Sequence, residues 1–380
     1  MKKNQLVTLG KHIDILSGCA FPSSGFNRNN GVPLIRIRDI LSGKTETYYE
    51  GSYDLKYLIK KGDLLVGMDG DFNREYWKGT DALLNQRVCK ITPNPETLDK
   101  NFLYHFLQKE LDKIHATTDV VTVKHLSVKK IQDIKIRLPS LKEQKRIAAI
   151  LDKADAIRQK REQAIKLADD FLRAKLLEMF GTPANNIHRF PKGTIRDLVD
   201  SVNYGTSAKA SIDSGEYPIL RMGNITYQGR WDFTDLKYLD LSVKEKDKYL
   251  VKEGDLLFNR TNSKELVGKT AVYEEDRPMA FAGYLIRVRP NSIGNNYYIS
   301  GYLNSIHGKI TLMNMCKSIV GMANINAQEL QNIEILIPPK HLQDEYEIIY
   351  KKIKKGLSIY DKSAMQLQLL ASNLSNKYFM

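Results

Sequence analysis

Lys61-Gly62-Asp63-Leu64-Leu65 returns as Glu253-Gly254-Asp255-Leu256-Leu257, and that recurrence decides the architecture. Leu9-Gly10-Lys11-His12-Ile13 reappears loosely as Ile195-Arg196-Asp197-Leu198-Val199. Val32-Pro33-Leu34-Ile35-Arg36 with Ile40 matches Tyr217-Pro218-Ile219-Leu220-Arg221 with Ile225. Asp54-Leu55-Lys56-Tyr57-Leu58 recurs identically as Asp235-Leu236-Lys237-Tyr238-Leu239. Ile131, Ile134, Ile136, Leu138 and Pro139 correspond to Leu330, Ile333, Ile335, Ile337 and Pro338. The blocks keep their order, so the chain carries one unit twice.

Each copy opens with a β-rich stretch, with strands expected at Pro33–Arg38, Asp63–Gly67 and Arg87–Thr92. One amphipathic helix follows in each. Its apolar face is Phe102, Leu103, Phe106 and Leu107 in the first copy, and Ile299, Tyr302, Leu303 and Ile306 in the second. Ile134, Ile136 and Leu138 then alternate with Lys135 and Arg137, a closing strand. Ser140-Leu141-Lys142-Glu143 has capping-box spacing and opens a long helix that Gly181 and Pro183 stop. Helical pattern resumes after Pro338-Pro339 and runs to the end of the sequence. Forty residues of helix reach about 60 Å. Alternating 3- and 4-residue spacings give a coiled-coil seam at Ile147, Ile150, Ala154, Ile157, Ala164, Ala168 and Phe171. The matching seam is Tyr346, Ile349, Ile353, Tyr360, Leu367, Leu370 and Leu374, with Gly356 and Ser363 as weak positions. Such helices gain most of their stability from packing an apolar face, so the two pair with each other, antiparallel. The expected class is α+β: two homologous β-rich domains at 1–140 and 182–340, with spacer helices at 141–181 and 341–380.

The chain has 380 residues, 42% hydrophobic and 27% charged, with a net charge of +14. This is folded composition, and it excludes an acidic disordered protein. No apolar run is long enough to span a membrane. The opening MKKNQLVTLG has no apolar core of a secretory signal, so a cytoplasmic protein is expected. Cys19, Cys89 and Cys316 are too scattered for a disulfide framework or a zinc pair.

No catalytic constellation is visible. The seven histidines lack H-x-x-x-H or H-E-x-x-H spacing. Val267-Gly268-Lys269-Thr270 resembles the end of a phosphate loop, but Ser263 stands where that loop needs glycine. Asp69 and Asp71 lack further acidic ligands at loop spacing, and the two Asp-Leu-Lys segments lack the extra carboxylates of a nuclease. Ile337-Pro338-Pro339-Lys340 is not an amine-methylation loop. The reading is a binding protein without catalytic or metal residues.

Two similar basic domains held apart by helices suit a duplex read at two places. The frames match while the loops differ: Asn73–Lys78 has no likeness to Asn259–Lys264. An asymmetric bipartite target follows. Candidate DNA-contacting residues in the first copy are Arg36, Arg38, Met68, Asp69, Asn73, Arg74, Lys78, Gln86, Arg87 and Lys124. In the second they are Arg221, Asn224, Asn259, Arg260, Thr261, Asn262, Ser263, Lys269, Met322 and Asn324, the last two beside Gly321. Arg, Asn and Gln have the fork geometry for base edges, and Lys suits phosphate. Because Arg36 and Arg221 hold the same repeat position, they serve the frame equally well. Two other classes stay open: an enzyme acting on DNA through an unrecognised site, and a coiled-coil scaffold for proteins.

Over its length the chain resembles the specificity (S) subunits of Type I restriction–modification systems. The paired Gly-Asp-Leu-Leu blocks and Asn85-Gln86-Arg87-Val88 are similar to that family's target-recognition domains. Leu138-Pro139-Ser140-Leu141-Lys142-Glu143-Gln144-Lys145-Arg146-Ile147 is similar to the start of its central helix. Its second version, Ile337–Gln343, is degenerate, with Leu342 in place of Glu143. The resemblance implies two target-recognition domains on double-stranded DNA, separated by two antiparallel helices. It also implies that two modification subunits bringing S-adenosylmethionine dock on the outer faces of the helices and methylate adenine. Restriction subunits bring ATP and Mg. This chain itself would then hold no cofactor.

Overall fold

The structure is a computed structural model. It describes residues 6–118, 124–319 and 322–379, with the side chains of 317–319, 322, 358–365 and 378 left aside. The first copy runs β1 (Leu6–Thr8), β2 (Ile13–Ser17), β3 (Phe26–Asn27), β4 (Val32–Ile35), α1 (Asp39–Ser42), β5 (Tyr48–Tyr49) and β6 (Leu58–Ile59). It continues with β7 (Leu64–Gly67), β8 (Arg74–Tyr76), β9 (Ala82–Leu84), β10 (Val88–Pro93), α2 (Lys100–Ala116), α3 (Val128–Gln132), β11 (Lys135–Arg137) and the long α4 (Leu141–Phe180). The second begins β12 (Lys192–Thr194), β13 (Val199–Tyr204), β14 (Tyr217–Leu220), β15 (Lys237–Leu239), α5 (Val243–Tyr249), β16 (Leu250–Val251), β17 (Leu256–Asn259) and β18 (Thr261–Asn262). Then come β19 (Thr270–Val272), β20 (Met279–Phe281), β21 (Leu285–Pro290), α6 (Asn296–Asn304), α7 (Ile306–Met315), β22 (Lys317–Ile319), β23 (Met322–Asn324), α8 (Ala327–Gln331), β24 (Glu334–Leu336) and α9 (Lys340–Phe379).

The sheet orders repeat. β2-β10-β7-β8 in the first copy is β13-β21-β17-β19 in the second, and β1-β11 is β12-β24. In the other sheet, β3-β5-β4-β9-β6, the last four strands match β15-β14-β20-β16, and β3 has no counterpart there. Each contains one parallel pair, Leu34 opposite Leu83 and Ile219 opposite Ala280. The second copy adds the small sheet β18-β23-β22.

The apolar run after Gly-Asp follows from burial on both faces of its strand. Leu64 and Val66 point into a core with Phe102, Phe106 and Ile131, while Leu65 points to Ile35, Trp77 and Leu84. Leu256 and Phe258 repeat the first side, and Leu257 the second. The Gly-Asp pair makes the turn into this strand. Gly62 and Gly254 have φ of 88° and 86°, a region that favours glycine. Asp63 Oδ2 accepts the Lys60 amide at 2.9 Å, and Asp255 Oδ2 accepts the Lys252 amide at 2.9 Å.

Three local expectations are corrected. The identical pentapeptides are not equivalent. Asp54–Leu58 is a 3-10 turn leading into β6, whereas Lys237–Leu239 is β15, paired with β14. The true counterpart of Tyr57-Leu58-Ile59 is Tyr249-Leu250-Val251, because β6 and β16 pair with β9 and β20, the strands that lie parallel to β4 and β14. The strand expected at Pro33–Arg38 stops at Ile35, since the Asp39 carboxylate accepts the Arg36 amide and starts α1. The second amphipathic helix breaks at Ser305, whose hydroxyl accepts the Gly308 amide at 3.0 Å. Ile306 therefore opens α7 and is 71% exposed.

The chain forms two compact units that do not follow the sequence halves: 1–161 with 362–380, and 162–361. In the first unit, Ser140 Oγ accepts the Glu143 amide at 3.3 Å at the start of α4. Buried Gln144 ties that start to the domain through the Asp99 amide and the Thr97 and Pro139 carbonyls. Ile147, Ala148 and Leu151 join the core, and so does Phe379 at the end of α9, with its ring 5.3 Å from Phe102 and 5.6 Å from Phe106. Between these segments Ala154 and Ile157 of α4 face Leu367 and Ala371 of α9. In the second unit, Phe180 at the end of α4 packs 4.6 Å from Tyr298 and 6.0 Å from Tyr346, which is near the start of α9. Leu172 lies with Tyr350 and Leu357. In each unit the two helical segments run antiparallel.

The seam is partly corrected. Ile147 and Tyr346 are buried, and Ile150, Ala154, Ile157, Ala164, Ala168, Ile349, Ile353, Leu367 and Leu374 are half-buried. Phe171 is 49% and Leu370 50% exposed, with Leu172, Leu176 and Ala371 turned inward instead. A straight α-helix drifts ~20° per heptad from a 3.5-residue repeat, so the inward stripe moves on by one residue towards each far end. Tyr360 and Ser363 lie outside the described side chains.

Candidate nucleic-acid interface

The nominated residues divide into frame and surface. Met68 is buried in the core, its amide donating to the Arg87 carbonyl. Asn224 is buried: its Oδ1 accepts the Arg221 amide, and its Nδ2 donates to the Asp232 and Asp235 carbonyls. Asn259 ends β17 fully buried. Burial places these three in the frame. Lys269 is buried and donates to the Met222 carbonyl at 2.9 Å, and Lys124 donates to the His115 carbonyl at 2.6 Å. Arg74 lies over the Tyr104 ring at 3.4 Å on β8. Arg36 stacks on Phe26, and Arg221 ion-pairs with Asp235 at 2.8 Å.

The surface set is smaller. In the first copy Arg38, Lys78, Gln86 and Arg87 are exposed, while Asn73 is half-buried. Asp69 is an acid with Arg87 Nη1 at 3.1 Å and His125 Nδ1 at 2.6 Å. In the second copy Thr261 and Asn262 form β18, Ser263 follows, and Asn324 is exposed on β23 opposite Thr261. Arg260 lies over the Tyr204 ring at 4.9 Å. Met322 opens β23, with its side chain outside the described set, and Gly321 lies outside the described residues. A groove of about 830 Å³ runs beside these residues, lined by Arg221, Met222, Lys237, Asn262, Leu266, Lys269 and Tyr284. Its lysines, arginine and apolar floor suit a polyanion bearing flat rings. His125 and Tyr284 were missed: neither stands in a nominated loop, and only pairing across the sheet brings them forward.

Among the described residues no three His, Cys, Asp or Glu side chains converge as a metal site. Among the described residues no helix is long and apolar enough to cross a membrane. Asp54 caps its turn by accepting the Lys56 amide. Burial pushes the Cys89 thiol up to about 12.

Residues 1–167 and 190–371 both match the family model described as Type I restriction modification DNA specificity domain. The chain belongs to that family. It is 30% identical to the Type I restriction enzyme EcoBI specificity subunit of Escherichia coli, over 97% of this chain and 82% of that one. It is 23% identical to the EcoKI specificity subunit of Escherichia coli strain K12, over 92% and 80%. Two solved structures share the fold. One is the S subunit of a Type I restriction–modification system from M. genitalium, with TM-score 0.64, 15% identity and 100% and 97% of the two chains covered. The other comes from work on assembly and conformational transition of the Type I restriction–modification system, with TM-score 0.51, 17% identity and 99% and 98% covered. As a member of the specificity family the chain is a DNA-recognition subunit with two target-recognition domains.

Lys309 on α7 offers a test of the second domain's electrostatics. Its Nζ is buried without a hydrogen-bond partner among the described residues, 4.7 Å from the Tyr227 ring. Burial, and then the charges of Lys269 and Arg173, push its ammonium down to about 8. An unfolded lysine titrates near 10.4. Between those values the unfolded chain holds the extra proton, so stability rises with pH. Lys309→Met is expected to stabilise the chain by about 1–3 kcal/mol at pH 7, with the gain fading towards pH 10. Urea melts at both pH values check this, and an equal gain at both would refute it.

Proposed function

We propose that the chain is the sequence-reading subunit of a Type I restriction–modification complex in the cytoplasm, and that each domain reads one half of an asymmetric bipartite site. The observation that carries this reading is one buried frame built twice with unlike exposed tips. Two modification subunits dock on the helices. Leu167, Phe171 and Leu177 are exposed apolar side chains on α4 in the second unit, and Leu369 and Leu370 are exposed on α9 in the first. S-adenosylmethionine, ATP and Mg belong to the modification and restriction subunits, as do methylation, translocation and cleavage.

The test uses the chain with its modification subunits. Mapping of methylated adenines in a host with the complete system should give one two-part asymmetric motif, absent when this chain is deleted. Duplex affinity should fall steeply with salt. Displacing counterions from about six phosphates gives a log–log slope near −5. A flat salt response, or a methylation pattern unchanged by the deletion, would sink the reading.

A further inference from the structure

In each copy three separate segments are tied by the same two backbone hydrogen bonds. In the first copy the Met68 amide donates to the Arg87 carbonyl at 2.9 Å, and the Leu126 amide donates to the Met68 carbonyl at 2.7 Å. In the second the Arg260 amide donates to the Tyr284 carbonyl at 3.0 Å, and the Ile325 amide donates to the Arg260 carbonyl at 2.9 Å. The next residue along then pairs across, Asp69 opposite His125 and Thr261 opposite Asn324. Asp69, Arg87 and His125 therefore hold the same three places on the frame as Thr261, Tyr284 and Asn324.

Leu126 and Ile325 anchor both places in the cores. Above them, Arg87 is 56% and His125 58% exposed by side chain, and Tyr284 is 54% exposed. The chemistry of the two sets is unlike. Asp69 is a carboxylate that accepts from His125 Nδ1 and ion-pairs with Arg87 Nη1 at 3.1 Å. It fixes a planar guanidinium through one of its nitrogens. The second set has no ionised member; Thr261 Oγ1 lies 3.4 Å from Asn324 Oδ1, with the Tyr284 ring alongside the groove. Buried bonds repeated with unlike exposed side chains mark positions where the frame leaves chemistry free to vary.

Resting on the proposed role as a duplex reader, we propose that these two equivalent triplets are the base-reading sets of the two domains. Arg87, held by Asp69 as a positioning residue, takes a guanine through O6 and N7. Asn324 takes an adenine through N6 and N7, with Tyr284 packing beside it. Loss of one bidentate pair changes discrimination by about 10- to 100-fold.

The test uses the chain in complex with its modification subunits. The triple variant Asp69→Thr, Arg87→Tyr, His125→Asn grafts the second triplet onto the first domain. Mapped methylation should lose a guanine from one half of the motif and keep the other half. In binding assays Arg87→Ala should weaken the cognate duplex about 10- to 100-fold while leaving an unrelated duplex unchanged. Should the triple variant fail to fold, Arg87→Lys decides, because it keeps the charge and loses the fork. Its discrimination should fall as that of Arg87→Ala does. Methylation of the unaltered motif by the grafted protein would overturn the assignment. So would an Arg87→Ala loss equal on all duplexes, the mark of a phosphate contact. Failure of the wild-type complex to select any sequence would instead overturn the reading on which the triplets rest.

Discussion

Asp255→Ala is expected to lower stability by about 3–5 kcal/mol, because it leaves a buried charge without its partner. Asp255 meets Arg289 in a fork at 2.7 and 3.0 Å and lies 3.9 Å from buried Arg287, besides accepting the Lys252 amide. The loss is a large part of the ~5–15 kcal/mol that holds a domain folded. Asp63 in the first copy makes the same turn, but its cation is Lys90 at 3.6 Å, and both are partly exposed. Asp63→Ala should cost only about 0.5–2 kcal/mol, the range of a lost backbone cap. Urea denaturation of both variants decides. Equal losses would mean that the arginine pair contributes nothing beyond the turn.

Exchange of residues 1–140 for the corresponding segment of another specificity subunit is expected to change one half of the methylated motif completely and leave the other unchanged. The two domains have separate cores and repeat the same sheet orders, so each supplies its own reading surface. Methylation mapping in a host carrying the complete system reads the outcome directly. A simultaneous change in both halves would show that the domains do not read independently.

The duplication, the long helices and the closing strands were legible because they rest on period and burial. The strand expected at Asp63–Gly67 is found at Leu64–Gly67, and the helix expected behind the Ser140 cap begins at Leu141. What misled was identity without context. The pentapeptide shared by Asp54–Leu58 and Asp235–Leu239 forms a turn in one place and a strand in the other, because the partner strand decides its conformation. Within the interface, residue type said too little about exposure. Asn224 and Asn259 look like base readers, yet both are buried in the frame. Arg87 and Asn324 were nominated, but their equivalence to Tyr284 and His125 depends on cross-strand pairs that no local pattern encodes.

Phe379 carries a condition for shuffling such modules. Its ring fills a place between Phe102 and Phe106, so the core of the first domain is completed by a side chain from the far end of the sequence. A transplanted reader brings its own tips and strands but not this ring. It will be accepted only if it offers a socket of the right size, and the compatibility of a hybrid can be judged there, far from any base it reads.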